Sequence, residues 1–150
     1  MCGVIGFIRT DFPKPHAVDA KRQLALMADA VVHRGPDDFG YWRDGRDGIW
    51  LGHRRLSILD LSPAGHQPMT SACGRYVVVF NGEIYNWASI RAELEQAGHA
   101  PVWRGHSDTE VLLAGIVAWG LAATLRRARG MFAIAVWDRQ ERMLSIARDR

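Results

Sequence analysis

Cys2-Gly3-Val4-Ile5-Gly6-Phe7-Ile8 follows the initiator Met1 directly and reads as an opening apolar strand. Removal of Met1, favoured when the second side chain is small, leaves a cysteine that carries both a thiol and a free α-amine. An α-amine titrates near ~7.7 to 8.0 and a thiol near ~8.5, so the two can exchange a proton at neutral pH without a histidine. Taken alone, a cysteine near a terminus is more often a small buried hydrophobe than a nucleophile. Cys2 by itself does not decide a function.

Outward from that strand, Pro13 and Pro15 break the chain, and a helix is predicted over 17–32 with Val18, Leu24, Met27 and Val31 on one face. A loop begins at His33-Arg34-Gly35-Pro36-Asp37-Asp38. Strand-like segments follow at 39–43, 48–51 and 55–59, and Ser62-Pro63-Ala64-Gly65-His66-Gln67-Pro68 demands another loop. Tyr76-Val77-Val78-Val79-Phe80 reads as a strand that stops at Asn81-Gly82, a dipeptide that alone reads as a hairpin turn. A helix starting at Asn86 aligns Trp87, Ile90, Leu94 and Ala97, and Gly98 closes it. Ser107-Asp108-Thr109-Glu110 matches a capping box ahead of a mostly buried helix over 111–119. Strands at 131–137 and 143–147 are joined through Asp138-Arg139-Gln140-Glu141. Antiparallel strand pairs mixed with helices give an α+β sandwich.

With 150 residues and 48% hydrophobic content the chain suits one domain with a real core. No stretch approaches the ~20 apolar residues of a membrane span and no secretory signal is visible, so a cytoplasmic protein is expected. Two cysteines, Cys2 and Cys73, are too few for a disulfide framework. The net charge of +3 comes mostly from arginine, and the densest patch, Arg126, Arg127 and Arg129, reads as a solvated helix face. It lacks the length and the stacking aromatics of a nucleic-acid surface. The histidines contain no pair at i and i+4, so no metal site is read.

Five phrases join the terminal cysteine: His33 to Asp38, His53-Arg54-Arg55-Leu56-Ser57-Ile58, Asn81-Gly82-Glu83-Ile84-Tyr85-Asn86, Ser107 to Glu110, and Gly130-Met131-Phe132-Ala133. Together they resemble the glutaminase domain of glutamine-hydrolysing asparagine synthetase, across essentially all of residues 1–150. The resemblance implies an N-terminal-nucleophile hydrolase fold, a four-layer αββα sandwich of two antiparallel sheets. It implies L-glutamine as substrate, Cys2 as nucleophile with its own α-amine as base, and Asn81 and Gly82 as holders of the oxyanion. Arg55 matches the arginine that binds the substrate carboxylate. Glu83 and Asp108 match the positions that receive its ammonium, and Asp108 also sits where a helix favours a carboxylate. Arg34 and Asp37 are given a loop-ordering role, Glu110 a capping role, and His53 a structural one.

The family pattern continues past Ser145-Ile146-Ala147-Arg148-Asp149-Arg150 into further strands, so the domain is expected to be C-terminally incomplete and less stable than an extended one. The synthetase domain, normally in the same chain and dependent on ATP and magnesium, is expected to be missing; no cofactor is implied for these residues themselves. Two further readings stay open: another amidotransferase of the same class, as in glucosamine phosphate or purine synthesis, and a noncatalytic glutamine-binding or assembly remnant. β-Lactam synthetase also resembles this branch, but retention of Cys2 argues against it. Oligomeric state is not written in the sequence, a homodimer being one option.

Overall fold

The computed structural model describes residues 2–9, 17–57 and 62–149. Strands β1 (Gly3–Ile8), β2 (Asp38–Asp44) and β3 (Ile49–Arg55) form one antiparallel sheet in the order β1-β3-β2. Strands β4 (Met69–Thr70), β5 (Tyr76–Ile84), β6 (Gly130–Asp138) and β7 (Met143–Arg148) form a second in sequential order. Helix α1 (Ala17–Ala30) covers the outer face of the first sheet; α2 (Trp87–Gln96) and α3 (Asp108–Trp119) cover that of the second. The result is the expected four-layer αββα sandwich. Among the described residues no helix is long and apolar enough to cross a membrane.

Alternation along the strands assigns each residue to a layer. Ile49 and Leu51 on β3 meet Val77 and Val79 on β5 and Ala135 and Trp137 on β6, with Val4 of β1 beside them, between the sheets. The opposite row of the first sheet, Ile5, Phe7 and Trp50, packs under Ala20 and Leu24 of α1. Val78, Phe80, Ile84, Ile134 and Val136 face α2 and α3, where Ile90, Leu94, Val111, Leu112 and Ile116 complete the largest core. Both faces of β3 and β5 are therefore covered, which explains their near-continuous apolar character.

Several boundaries differ from the sequence reading. The segments read at 48–51 and 55–59 are one strand, β3, because Gly52, His53 and Arg54 continue its pairing with β1 and β2; residues 58–61 lie outside the described residues, as do Pro13 and Pro15. Asn81-Gly82 is no hairpin turn, since the two residues sit inside β5 opposite Ala133 and Phe132. Helix α1 ends at Ala30 and a 3-10 turn occupies Val32–Arg34. Its buried face is Ala20, Leu24 and Ala28, with Met27 and Val31 only half-buried; the side chain of Val18 lies outside the described set. Two elements were not expected: the short β4, and α4 (Leu121–Arg127), which Gly120 separates from α3. Arg126 and Arg127 lie exposed at the end of α4, and Arg127 reaches Glu93 at 3.1 Å and stacks on Trp119.

Candidate active site

The rows that build the inter-sheet core turn polar at one end. Following Ile49 and Leu51, the same row of β3 continues with His53 and Arg55; following Val77 and Val79, that of β5 continues with Asn81 and Glu83. Cys2 precedes Val4 in the corresponding row beside β1. Cys2, Arg55, Asn81 and Glu83 line a cavity of about 100 Å³ together with Leu56, Gly65, Gln67, Phe80, Gly82, Ser107, Asp108, Thr109 and Met131. All six residues singled out from the sequence, Cys2, Arg55, Asn81, Gly82, Glu83 and Asp108, thus meet at one place.

The Cys2 thiol rests on the main chain just beyond β3. Its Sγ accepts the Leu56 N–H at 3.4 Å and lies 3.6 Å from the Leu56 carbonyl, to which the thiol donates. Arg34 Nε donates to the Cys2 carbonyl at 3.1 Å, so this arginine fixes the terminal residue rather than only ordering its own loop. Asp37 does order the loop: its N–H donates to the Arg55 carbonyl at 3.0 Å and its carboxylate accepts the Ser57 N–H at 2.8 Å.

Arg55 is a buried cation whose Nη1 donates to the Ser62 carbonyl at 3.0 Å. A Cβ on Gly65 would strike its guanidinium, so the loop approaches the arginine closely only because residue 65 lacks a side chain. Asp108, also buried, accepts the Ile84 N–H at 2.9 Å on Oδ2 and the Thr109 N–H at 2.8 Å on Oδ1. Burial raises its carboxyl above the ordinary carboxylate value, those two N–H groups oppose the rise, and Glu83 adds to it. A cation arriving between Glu83 and Asp108 would relieve both effects. The cap of α3 departs from the expected box: Ser107 Oγ accepts the Glu110 N–H at 3.2 Å, but the Glu110 carboxylate takes the amides of Arg104 and Gly105, at 2.9 and 3.1 Å.

Gly82 has φ of 154°, and a Cβ there would collide with the Met131 carbonyl of β6. The main chain of β5 explains why its amide matters. Strand β4 pairs only with Val77 and Val78, and beyond it the Phe80 N–H goes to Gln67 Oε1 at 2.6 Å and the Ile84 N–H to Asp108. Period-two alternation points the Gly82 N–H to the same side, into the cavity between those two side chains.

His53 is fully buried, and its Nε2 bonds the Phe80 carbonyl at 3.0 Å. Burial brings its pKa down to about 4, so the ring is neutral and Nε2 donates. It therefore supports β5 from behind the cavity. An unfolded chain takes up this proton near pH 6.5 and the folded one only near pH 4, so stability falls as pH is lowered between those values. The expected loss is about 3 kcal/mol at full development. His53→Gln keeps a donor and removes the titration; urea unfolding across this window should show a flatter pH dependence for the variant, and parallel curves would refute the assignment.

Arg34, Leu56 and Thr109 lie in the quoted phrases without having been singled out for the site, and Gln67 lies outside those phrases; all four stand at it or against Cys2. Gln67 is the least legible, since its loop signals only a turn. Among the described residues no three His, Cys, Asp or Glu side chains converge as metal ligands.

Comparison with known proteins gives the family of the chain. Residues 1–150 match the glutamine amidotransferase domain model, and the chain belongs to that family. It is 40% identical over 149 residues to asparagine synthetase (glutamine-hydrolyzing) 1 of Bacillus subtilis, covering 99% of this chain and 22% of the relative. It is 39% identical over 152 residues to asparagine synthetase (glutamine-hydrolyzing) 3 of the same organism, covering 100% and 23%. The chain thus spans less than a quarter of the length of these relatives and corresponds to their glutamine amidotransferase domain. The solved structure of glutamine phosphoribosylpyrophosphate amidotransferase from B. subtilis, complexed with ADP and GMP, superposes with a TM-score of 0.56 at 23% identity. That match covers 69% of this chain and 23% of that one, and it shows a shared fold.

Proposed function

We propose that this domain hydrolyses the side-chain amide of L-glutamine, with Cys2 as nucleophile. The observation that carries the reading is the convergence of a terminal-strand thiol, a buried arginine, two carboxylates and a strand-edge amide on one small cavity. With Met1 removed, the α-amine of Cys2 takes the thiol proton as the sulfur attacks the amide carbon. The C–S bond forms and the carbonyl electron pair moves onto oxygen. Asn81 Nδ2 and the Gly82 N–H hold that oxyanion. The ammonium then returns the proton to nitrogen, the C–N bond breaks, ammonia leaves, and a γ-glutamyl thioester remains. Water activated by the same amine attacks the thioester, the C–S bond breaks, and glutamate departs. Arg55 binds the α-carboxylate of the substrate, and Glu83 and Asp108 its α-ammonium.

The similarity to asparagine synthetases supports a further step. The ammonia feeds a synthetase domain of a longer protein, which uses ATP and magnesium to amidate aspartate, in the cytoplasm, where a free thiol stays reduced. The test of the local chemistry is glutamate release from L-glutamine by this chain. Arg55→Gln removes a charged, bidentate contact to the substrate and should raise KM about 10- to 100-fold with kcat largely kept. No glutamate release by the parent chain, or an unchanged KM in the variant, contradicts the reading.

A further inference from the structure

We propose that Gln67 is a positioning residue for the oxyanion side of this site, acting through a single buried amide that ties β5 to the start of α3. The proposal rests on the glutaminase reading and assigns a role to a residue outside it. Gln67 is buried on the cavity wall in the loop before β4. Its amide orientation is dictated by its partners. The Phe80 N–H is a donor, so Oε1 must face it, at 2.6 Å; Nε2 then points to Thr109 Oγ1, at 3.4 Å. Phe80 precedes Asn81, and Thr109 follows Asp108. One side chain therefore bridges the strand that presents the oxyanion donors and the helix start that presents a substrate-binding carboxylate.

The bridge stands where a strand is missing. Had β4 begun several residues earlier, its main chain would take the Phe80 amide and also fill the space in front of Gly82. Because β4 begins only at Met69, opposite Val78, the edge of β5 beyond Val78 is held instead by side chains: Gln67 on the Phe80 N–H, His53 on the Phe80 carbonyl, and Asp108 on the Ile84 N–H. This arrangement fixes the amides on either side of Gly82 and leaves the space before Gly82 for substrate. A tetrahedral oxyanion is sensitive to the placement of its donors, whereas the groups that bind the ground state keep their own ties: Asp108 to the Ile84 and Thr109 amides and Arg55 to the Ser62 carbonyl.

The experiment compares Gln67→Met, which keeps the length and removes both hydrogen bonds, with the parent chain. The expected result is a fall in kcat for glutamine hydrolysis of about 10- to 100-fold with KM held within about twofold. Alkylation of Cys2 by iodoacetamide, followed on the Cys2 peptide, forms a C–S bond as iodide leaves and develops no oxyanion. Its rate should therefore be retained, which a general collapse of the site would not allow. Thr109→Ser, which keeps the hydroxyl, should retain more of kcat than the isosteric Thr109→Val with KM equal in the two; the hydroxyl also donates to Asp108 Oδ1 at 3.5 Å, so a difference confined to KM reports on Asp108 and counts against the bridge, and this pair decides the matter if the methionine variant does not fold. Unchanged kcat in Gln67→Met, a parallel loss of Cys2 alkylation, or equal kcat in the two Thr109 variants overturns the role of Gln67 while leaving the glutaminase reading intact. Absence of turnover in the parent chain removes both.

Discussion

Replacing Cys2 by alanine is expected to lower glutamate release by more than about a thousandfold, because without a nucleophile no thioester forms and the oxyanion donors have little to stabilise. The fold should persist. The residue lies just before β1, and its thiol contributes only weak hydrogen bonds to the Leu56 main chain, so thermal and urea unfolding should shift by less than about 1 kcal/mol. Glutamine binding should persist as well, since Arg55, Glu83 and Asp108 belong to other elements. Titration calorimetry with L-glutamine checks that point. Undiminished hydrolysis in the variant would remove Cys2 from the chemistry altogether.

Gly82→Ala is expected to damage stability and activity together. The backbone at φ of 154° disfavours any Cβ, and the added methyl would meet the Met131 carbonyl of the neighbouring strand. Relief requires β5 and β6 to separate where they pair as Gly82 with Phe132, at a cost of about 2 to 4 kcal/mol. The same displacement turns the amide away from the oxyanion position, so kcat should fall at least about 100-fold even in the folded fraction. Chemical denaturation and active-fraction kinetics separate the two losses. A variant with parental stability and turnover would show that the close approach of β6 is not what requires glycine here.

How far the sequence foretold this arrangement depended on whether a signal was local. Capping at Ser107, closure of α2 at Gly98 and the apolar runs of β5 and β6 follow from neighbours in sequence, and the structure places those elements close to where they were read. Asn81-Gly82 shows the limit. Turn chemistry favours a hairpin there, but register with Ala133 and Phe132, some fifty residues away, keeps the dipeptide in a strand. Likewise Gly52 and His53 look like an interruption of β3 until Ile5, Leu24 and the Phe80 carbonyl supply what each one packs against or bonds. Helix α4 is short and follows Gly120 directly, so its seven residues carry little periodicity of their own.

The candidate site was legible through the family resemblance more than through spacing. The resemblance selected six residues, and the structure brings those six to one cavity. Arg34 was seen but given too small a part, because its bond to the Cys2 carbonyl spans 32 positions. Gln67 carried no mark at all: its value comes from the Phe80 amide left without a strand partner because β4 begins only opposite Val78, a tertiary circumstance that no local pattern encodes.

The most direct measurement is intact mass spectrometry of the chain before and after rapid acid quenching of its reaction with L-glutamine. The resting protein is expected to begin at Cys2, and the quenched sample to carry a γ-glutamyl group mapped to the Cys2 peptide. Sustained glutamate release by protein that still carries Met1 would contradict it, since the amine assigned as base would then be locked in a peptide bond.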